Sequence, residues 1–196
     1  MLKPRLVTPP SGSPVSLDEV KQHLNVDFTD DDAKLEIYIM AATEYLDGWS
    51  GILGRCILSQ QWAQGFYGFC DSRALRLPFP DVTAVAVSYY DAAGAAQVLP
   101  PESYELLADG IGSFIQIKRQ FSLPALDCDR AEKVTATLTA GMSATPDKVP
   151  KPIKQAILLL VGSWYENRET ASNAATFSAL PMGFDALIAA YKIKEF

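Results

Sequence analysis

The sequence predicts an α+β protein: a small helical bundle interrupted by an antiparallel β insertion, with an extended N-terminal arm and a C-terminal tail. Three observations predict it. Apolar residues recur at three-and-four spacing towards both ends of the chain, the signature of amphipathic helices. Between them, from Cys56 to Ala140, the period falls towards two, as in half-buried strands. Pro4, Pro9, Pro10 and Pro14 crowd the first residues, where proline fixes φ and disfavours helix in the residue before it. The expected organisation is an arm over 1–15, a discontinuous helical domain from 16–54 plus 147–170, the β insertion over 55–146 and a tail over 171–196.

The elements follow in order. Ser16 is a good N-cap, and Glu19 stands three residues later, which makes a capping box. Val15 and Val20 flank it as a hydrophobic staple. Leu17, Val20 and Leu24 line one face of the first helix. The run Asp30, Asp31, Asp32 opens a second, because acidic first turns complement the helix dipole. Leu35, Tyr38, Ile39, Ala42, Leu46 and Trp49 keep helical spacing, and Gly48, Gly51 and Gly54 end it. In the middle, Val82 to Tyr90 is rich in β-branched and aromatic residues; Asp91 to Gly94 turns the chain and Gln97 to Leu99 returns it as a hairpin. Tyr104 to Leu107, Phe114 to Ile117 and Val134 to Thr139 add short strands. Helical period resumes after Pro150 and Pro152, prolines that suit a first turn. Ile153, Ala156, Ile157, Leu160, Val161, Trp164 and Arg168 share a face widened by Leu158, Leu159 and Tyr165, so this helix needs neighbours on most sides. Thr170 to Leu180 is small and polar, and Phe184, Leu187, Ile188 and Tyr191 form a last apolar cluster.

Composition narrows the function. The 196 residues are 48% apolar and 20% charged, enough to build a core and too apolar for a disordered chain. Seventeen basic against 23 acidic residues give a net charge of −6, with no Lys/Arg cluster. Phosphate binding is driven by such clusters, which argues against a DNA reader and leaves room for a wall that DNA slides past. Cys56, Cys70 and Cys128 leave at least one thiol unpaired and suit a reducing cytoplasm. No signal-peptide core precedes Pro14, and the apolar run near Ile157 to Val161 falls far short of the ~20 residues needed to span a bilayer, so no membrane association is expected.

A search for chemistry returns no catalytic site, no metal site and no cofactor. His23 is the single histidine and has no partner in sequence; with no CxxC pair, zinc is not expected. Asp27 and Asp30 to Asp32 lack the alternation, glycine and twelfth-position Glu of a calcium loop. Glu166 and Glu169 share a helix face, but Asn167 and Arg168 between them favour ion pairing or an inter-subunit contact. The glycines from Gly48 to Gly54 do not fit a phosphate loop, and the aromatics of Gly65 to Phe69 lack the basic neighbours of a base-stacking surface.

The stretch Val149 to Glu169, with its Ile-Lys-Gln-Ala-Ile-Leu-Leu-Leu-Val core and Trp164-Tyr-Glu-Asn-Arg-Glu169 end, resembles the signature helix of tailed-phage head–tail connector (adaptor, head-completion) proteins. Leu180-Pro181-Met182-Gly183-Phe184 is similar to the short box that follows it in that family. The helix Ser16 to Leu24, the acidic start at Asp30 and the segments Leu77 to Pro80, Val85 to Asp91 and Tyr104 resemble the family's opening helices and central strands. Ser50 to Arg55 departs from the family's shorter glycine–arginine turn. The resemblance implies a non-enzymatic virion subunit of the neck, made in the bacterial host cytoplasm. It implies a ring beneath the portal, twelvefold like the portal, that extends the DNA channel used in genome packaging and docks a stopper or tail-completion protein. DNA would pass without sequence-specific binding. Leu180, Pro181, Met182, Phe184, Leu187, Ile188 and Tyr191 would bind the portal; Trp164, Tyr165, Glu166, Arg168 and Glu169 would serve subunit packing or ring contacts. The alternative is another neck role, a stopper or tail-completion protein.

Overall fold

The computed structural model describes residues 1–167 and 183–193. Its elements are β1 (Arg5–Thr8), α1 (Leu17–Leu24), α2 (Asp32–Leu46), β2 (Gln60–Phe66), β3 (Ala74–Arg76), β4 (Val82–Tyr90), β5 (Ala96–Val98), β6 (Tyr104–Ala108), β7 (Ser113–Ile117), β8 (Val134–Ala140), α3 (Lys151–Glu166) and α4 (Phe184–Ile188). They fall into two compact units. A sheet unit takes Met1–Ser11 and Ser59–Met142; a helical unit takes Gly12–Leu58 and Ser143–Lys192.

The sheet unit holds a five-stranded sheet in the order β1-β2-β8-β4-β5 and a three-stranded sheet in the order β3-β7-β6, all neighbours antiparallel. β8 lies at the centre of the larger sheet and shows why the period-two reading works: Val134, Ala136, Leu138 and Ala140 are buried and the threonines between them are not. Successive side chains on a strand point to opposite faces, so one face is apolar. Phe79 packs edge-on against Trp62 with ring centroids 5.1 Å apart, within a core that includes Leu75, Val87, Leu99, Ile115 and Ile117. The β4–β5 turn is built by Asp91, whose Oδ1 accepts from the Ala93 and Ala95 amides while Gly94 takes φ 77°.

Two expectations change here. The N-terminal arm is extended, yet residues 5–8 are an edge strand of the larger sheet and not a free reach of chain. Proline lacks a ladder donor and is tolerated at an edge, so Pro4 and Pro9 flank β1 without breaking the pairing of Arg5 with Ala63 and Leu6 with Trp62. The buried Gln64 amide donates to the Leu2 carbonyl, and Arg5 makes a two-pronged ion pair with Glu132 at 2.8 Å on both arms. β3 was not foreseen; three residues are too few to show a period.

In the helical unit the expected capping box is present: Ser16 Oγ accepts from the Glu19 amide and Glu19 accepts from the Ser16 amide. α1 stops at Asn25, which takes the left-handed conformation, φ 54°. α3 buries Ile153, Ala156, Ile157, Leu160 and Val161 as the spacing predicts. Gly162 lets α1 approach, since an added Cβ would lie 3.3 Å from Leu24 Cδ2. α2 ends at Leu46, one turn before the expected Trp49, because Asp47 caps it in extended conformation and Gly48 turns left-handed at φ 74°. Gly51 is required there: a Cβ would lie 2.3 Å from the Asp47 carbonyl.

Candidate functional site

Trp164, Tyr165 and the acidic run meet at the far end of α3. Trp164 is half-buried and meets Tyr38 of α2 edge-on, centroids 6.4 Å apart. Tyr165 donates to Asp31 Oδ2 at 2.7 Å. Lys34 donates to the other oxygen of Asp31 at 2.6 Å, and Lys21 to Asp32 at 2.7 Å. The acidic run therefore does more than complement a dipole. It ties the start of α2 to α1 and to the end of α3. Glu166 faces solvent. Arg168, Glu169, Leu180, Pro181 and Met182 lie outside the described residues.

α4 carries the terminal apolar cluster. Phe184 and Ile188 are completely buried, and α4 packs against α3. Two of the side chains expected on the portal thus fill the subunit's own core. Leu187 and Tyr191 stay half-exposed, and Lys192 sits 3.6 Å from Asp185.

Sequence reasoning missed the pair that closes the unit at its other end. Lys154 lies on the apolar face of α3, nearly buried, and donates to Glu19 at 2.8 Å. Glu19 thus serves both the α1 cap and the α1–α3 contact. That hydrogen bond is the main reason its carboxyl is held below the usual 4.5, against the opposing effect of burial. A lysine among Ile153, Ala156 and Ile157 was the available signal: a charge on an apolar stripe needs a partner.

His23 is exposed, as are Cys70 and Cys128, while Cys56 is buried. Among the described residues no three His, Cys, Asp or Glu side chains cluster as metal ligands, and no helix is long and apolar enough to cross a membrane. A cleft in the sheet unit is lined by Asp71, Arg73, Gln116, Lys118 and Arg119, and two of its three cations are engaged. Arg73 donates to the carbonyls of Lys118 and Phe121, and Lys118 pairs with Glu105 at 3.5 Å. The Gly65 to Phe69 aromatics are divided: Phe66 is buried, Tyr67 is exposed and Phe69 meets Tyr89 edge-on.

Likeness to known proteins enters at two levels, a sequence pattern over part of the chain and a fold over all of it. Residues 14–68, which hold α1, α2 and β2, match the model of the phage gp6-like head-tail connector protein family. The whole chain matches a chain in the neck of an empty gene transfer agent particle described with C6 symmetry, with 24% identity, TM-score 0.78 and 97% of that chain covered. It also matches, over its full length, a chain in the neck of the native particle described with C12 symmetry, at 23% identity and TM-score 0.75, covering 97% of that chain. None of the curated proteins matches.

Proposed function

We propose that this protein is a structural head–tail connector (adaptor) subunit of a tailed phage or phage-like particle, with no catalytic role. The observation that carries the reading is the agreement of two independent likenesses. The connector family's sequence pattern falls on α1 and α2, and the fold of a neck chain covers all 196 residues. The symmetric necks in which that fold occurs support a ring, expected to hold twelve copies beneath the portal. The ring would extend the DNA channel and dock a stopper or tail-completion protein. The acid excess favours passage of DNA without sticking, because like charges lower phosphate affinity. Portal docking falls to the C-terminal region. With Phe184 and Ile188 committed to the subunit core, Leu187 and Tyr191 keep free surface for that contact, together with Leu180, Pro181 and Met182. Ring contacts would involve the exposed Glu166 with Arg168 and Glu169.

The test is to mix purified protein with the portal of the same particle and image the complex. A ring stacked on the portal is expected. Failure of the two proteins to associate, each being folded, would overturn the reading.

A further inference from the structure

α2 is apolar on two sides. Its inner side buries Leu35, Ile39, Ala42 and Leu46. Its outer side exposes Ile37 at 64%, Met40 at 62% and Tyr45 at 41%, with Ala41 also exposed between them. Ile37, Met40 and Ala41 stand three and four residues apart, and Ala41 and Tyr45 four apart, so they form one stripe along the helix. Apolar groups exposed singly are ordinary, but a contiguous stripe marks an interface.

We infer that this outer stripe of α2 is the face on which a neighbouring copy of the chain packs in the ring, and that the contact joins two different faces. The inference rests on the ring-forming function proposed above and names the surface that would perform it. The electrostatics decide the kind of contact. Glu36 and Glu44, both exposed, stand four residues either side of Met40 on the same helix row, Glu44 within the stripe. If α2 packed on α2 of a second copy about a two-fold axis, an antiparallel crossing centred on Met40 would set Glu36 opposite Glu44. A parallel crossing would set each glutamate opposite its own copy. Like charges held together in an interface oppose it. A face carrying lysines suits the stripe better, and the helical unit has Lys148 and Lys151, both exposed, at the approach to α3. A contact between unlike faces leaves each copy with one of each still open, so copies add head to tail until a ring closes. A two-fold contact would stop at a dimer.

The test uses the full chain. Native mass spectrometry and negative-stain imaging would follow assembly with concentration for three proteins: wild type, Ile37→Ser/Met40→Ser, and Val98→Ser. Val98 is the control, being 70% exposed on β5 in the sheet unit. Wild type and Val98→Ser should form closed multimers together. The double variant should need at least about tenfold higher concentration, as expected when apolar anchors leave an interface, with unchanged melting. Four results would overturn the inference. Rings of the double variant at wild-type concentrations would do so while sparing the connector reading, which portal binding tests separately. A wild-type species that stops at a dimer would refute the unlike-face contact. A wild type that stays monomeric at every concentration would show no self-affinity in the stripe. A lowered melting temperature of the double variant would mean that its own chain covers those side chains.

Discussion

The sheet unit and the helical unit hold themselves together over different distances. In the five-stranded sheet, β8 pairs with β2 and β4 through continuous ladders, and the hairpin β4–β5 closes on Asp91 and Gly94. Backbone hydrogen bonds do the joining, and almost any residue with the right period supplies them. The helical unit has no such ladder between its helices. α1 and α2 meet α3 across more than a hundred residues of intervening chain, and particular side chains make the joints: Glu19 to Lys154, Asp31 to Tyr165, Tyr38 to Trp164. The acid excess divides the same way, since residues 12–58 contain nine Asp or Glu against three Lys or Arg. One unit tolerates substitution at most of its joints, and the other depends on single pairs.

Four experiments would sharpen or break that contrast. The largest effect should come from Phe184→Ala, which empties a fully buried site beside α3 and should cost about 3–5 kcal/mol. Calorimetry should show the loss as a lowered transition of the helical unit, and Phe79→Ala should lower that of the sheet unit. One shared transition, moved equally by both, would mean that the units melt together and the contrast is not thermodynamic.

Next, Glu19→Ala should cost about 2–3 kcal/mol, because it removes an N-cap partner and strands a largely buried lysine. Chemical denaturation measures it, and adding Lys154→Met should recover a good part. The same carboxyl predicts a pH dependence. Its folded pKa is lowered, so its contribution is complete above the usual 4.5 and fades as pH falls below that value through the folded pKa. The stability gap between wild type and Glu19→Gln should therefore narrow between pH 5 and strong acid. A constant gap would show that ionisation is irrelevant there.

Tyr165→Phe removes one hydrogen bond to Asp31 and should cost about 1–2 kcal/mol. No change in melting would return the acidic run to a purely dipolar role. The smallest effect belongs to the sheet unit. Arg5→Ala breaks an exposed ion pair and should cost under about 1 kcal/mol. Amide exchange should quicken over residues 5–8 and leave β8 protected.

What the sequence reveals follows the same division. The capping box at Ser16, the alternation of β8 and the Asp91 turn are legible because each is encoded within a few residues. β1 is obscured by the prolines around it, since they report an extended backbone and say nothing of what it pairs with. The partners of Asp31 and Lys154 lie 134 and 135 residues away, and no local pattern names them. Lys154 shows only that a partner must exist. The terminal cluster was legible as apolar; that Phe184 and Ile188 face α3 depends on how the chain returns, which spacing does not encode.

The split helical unit also sets an order of synthesis. When α2 has left the ribosome, Val20, Leu35 and Ile39 have no α3 to cover them. The chain must grow from Leu46 to Glu166 first, which at ~5–20 residues per second takes roughly 6–24 s. β2 to β8 are made within that interval and β1 before it, so the sheet unit can fold while α1 and α2 wait. During the wait the nascent chain shows both apolar sides of α2 at once, the inner side meant for its own core and the outer one. A cell that makes many copies together must keep these helices apart until the last fifty residues arrive.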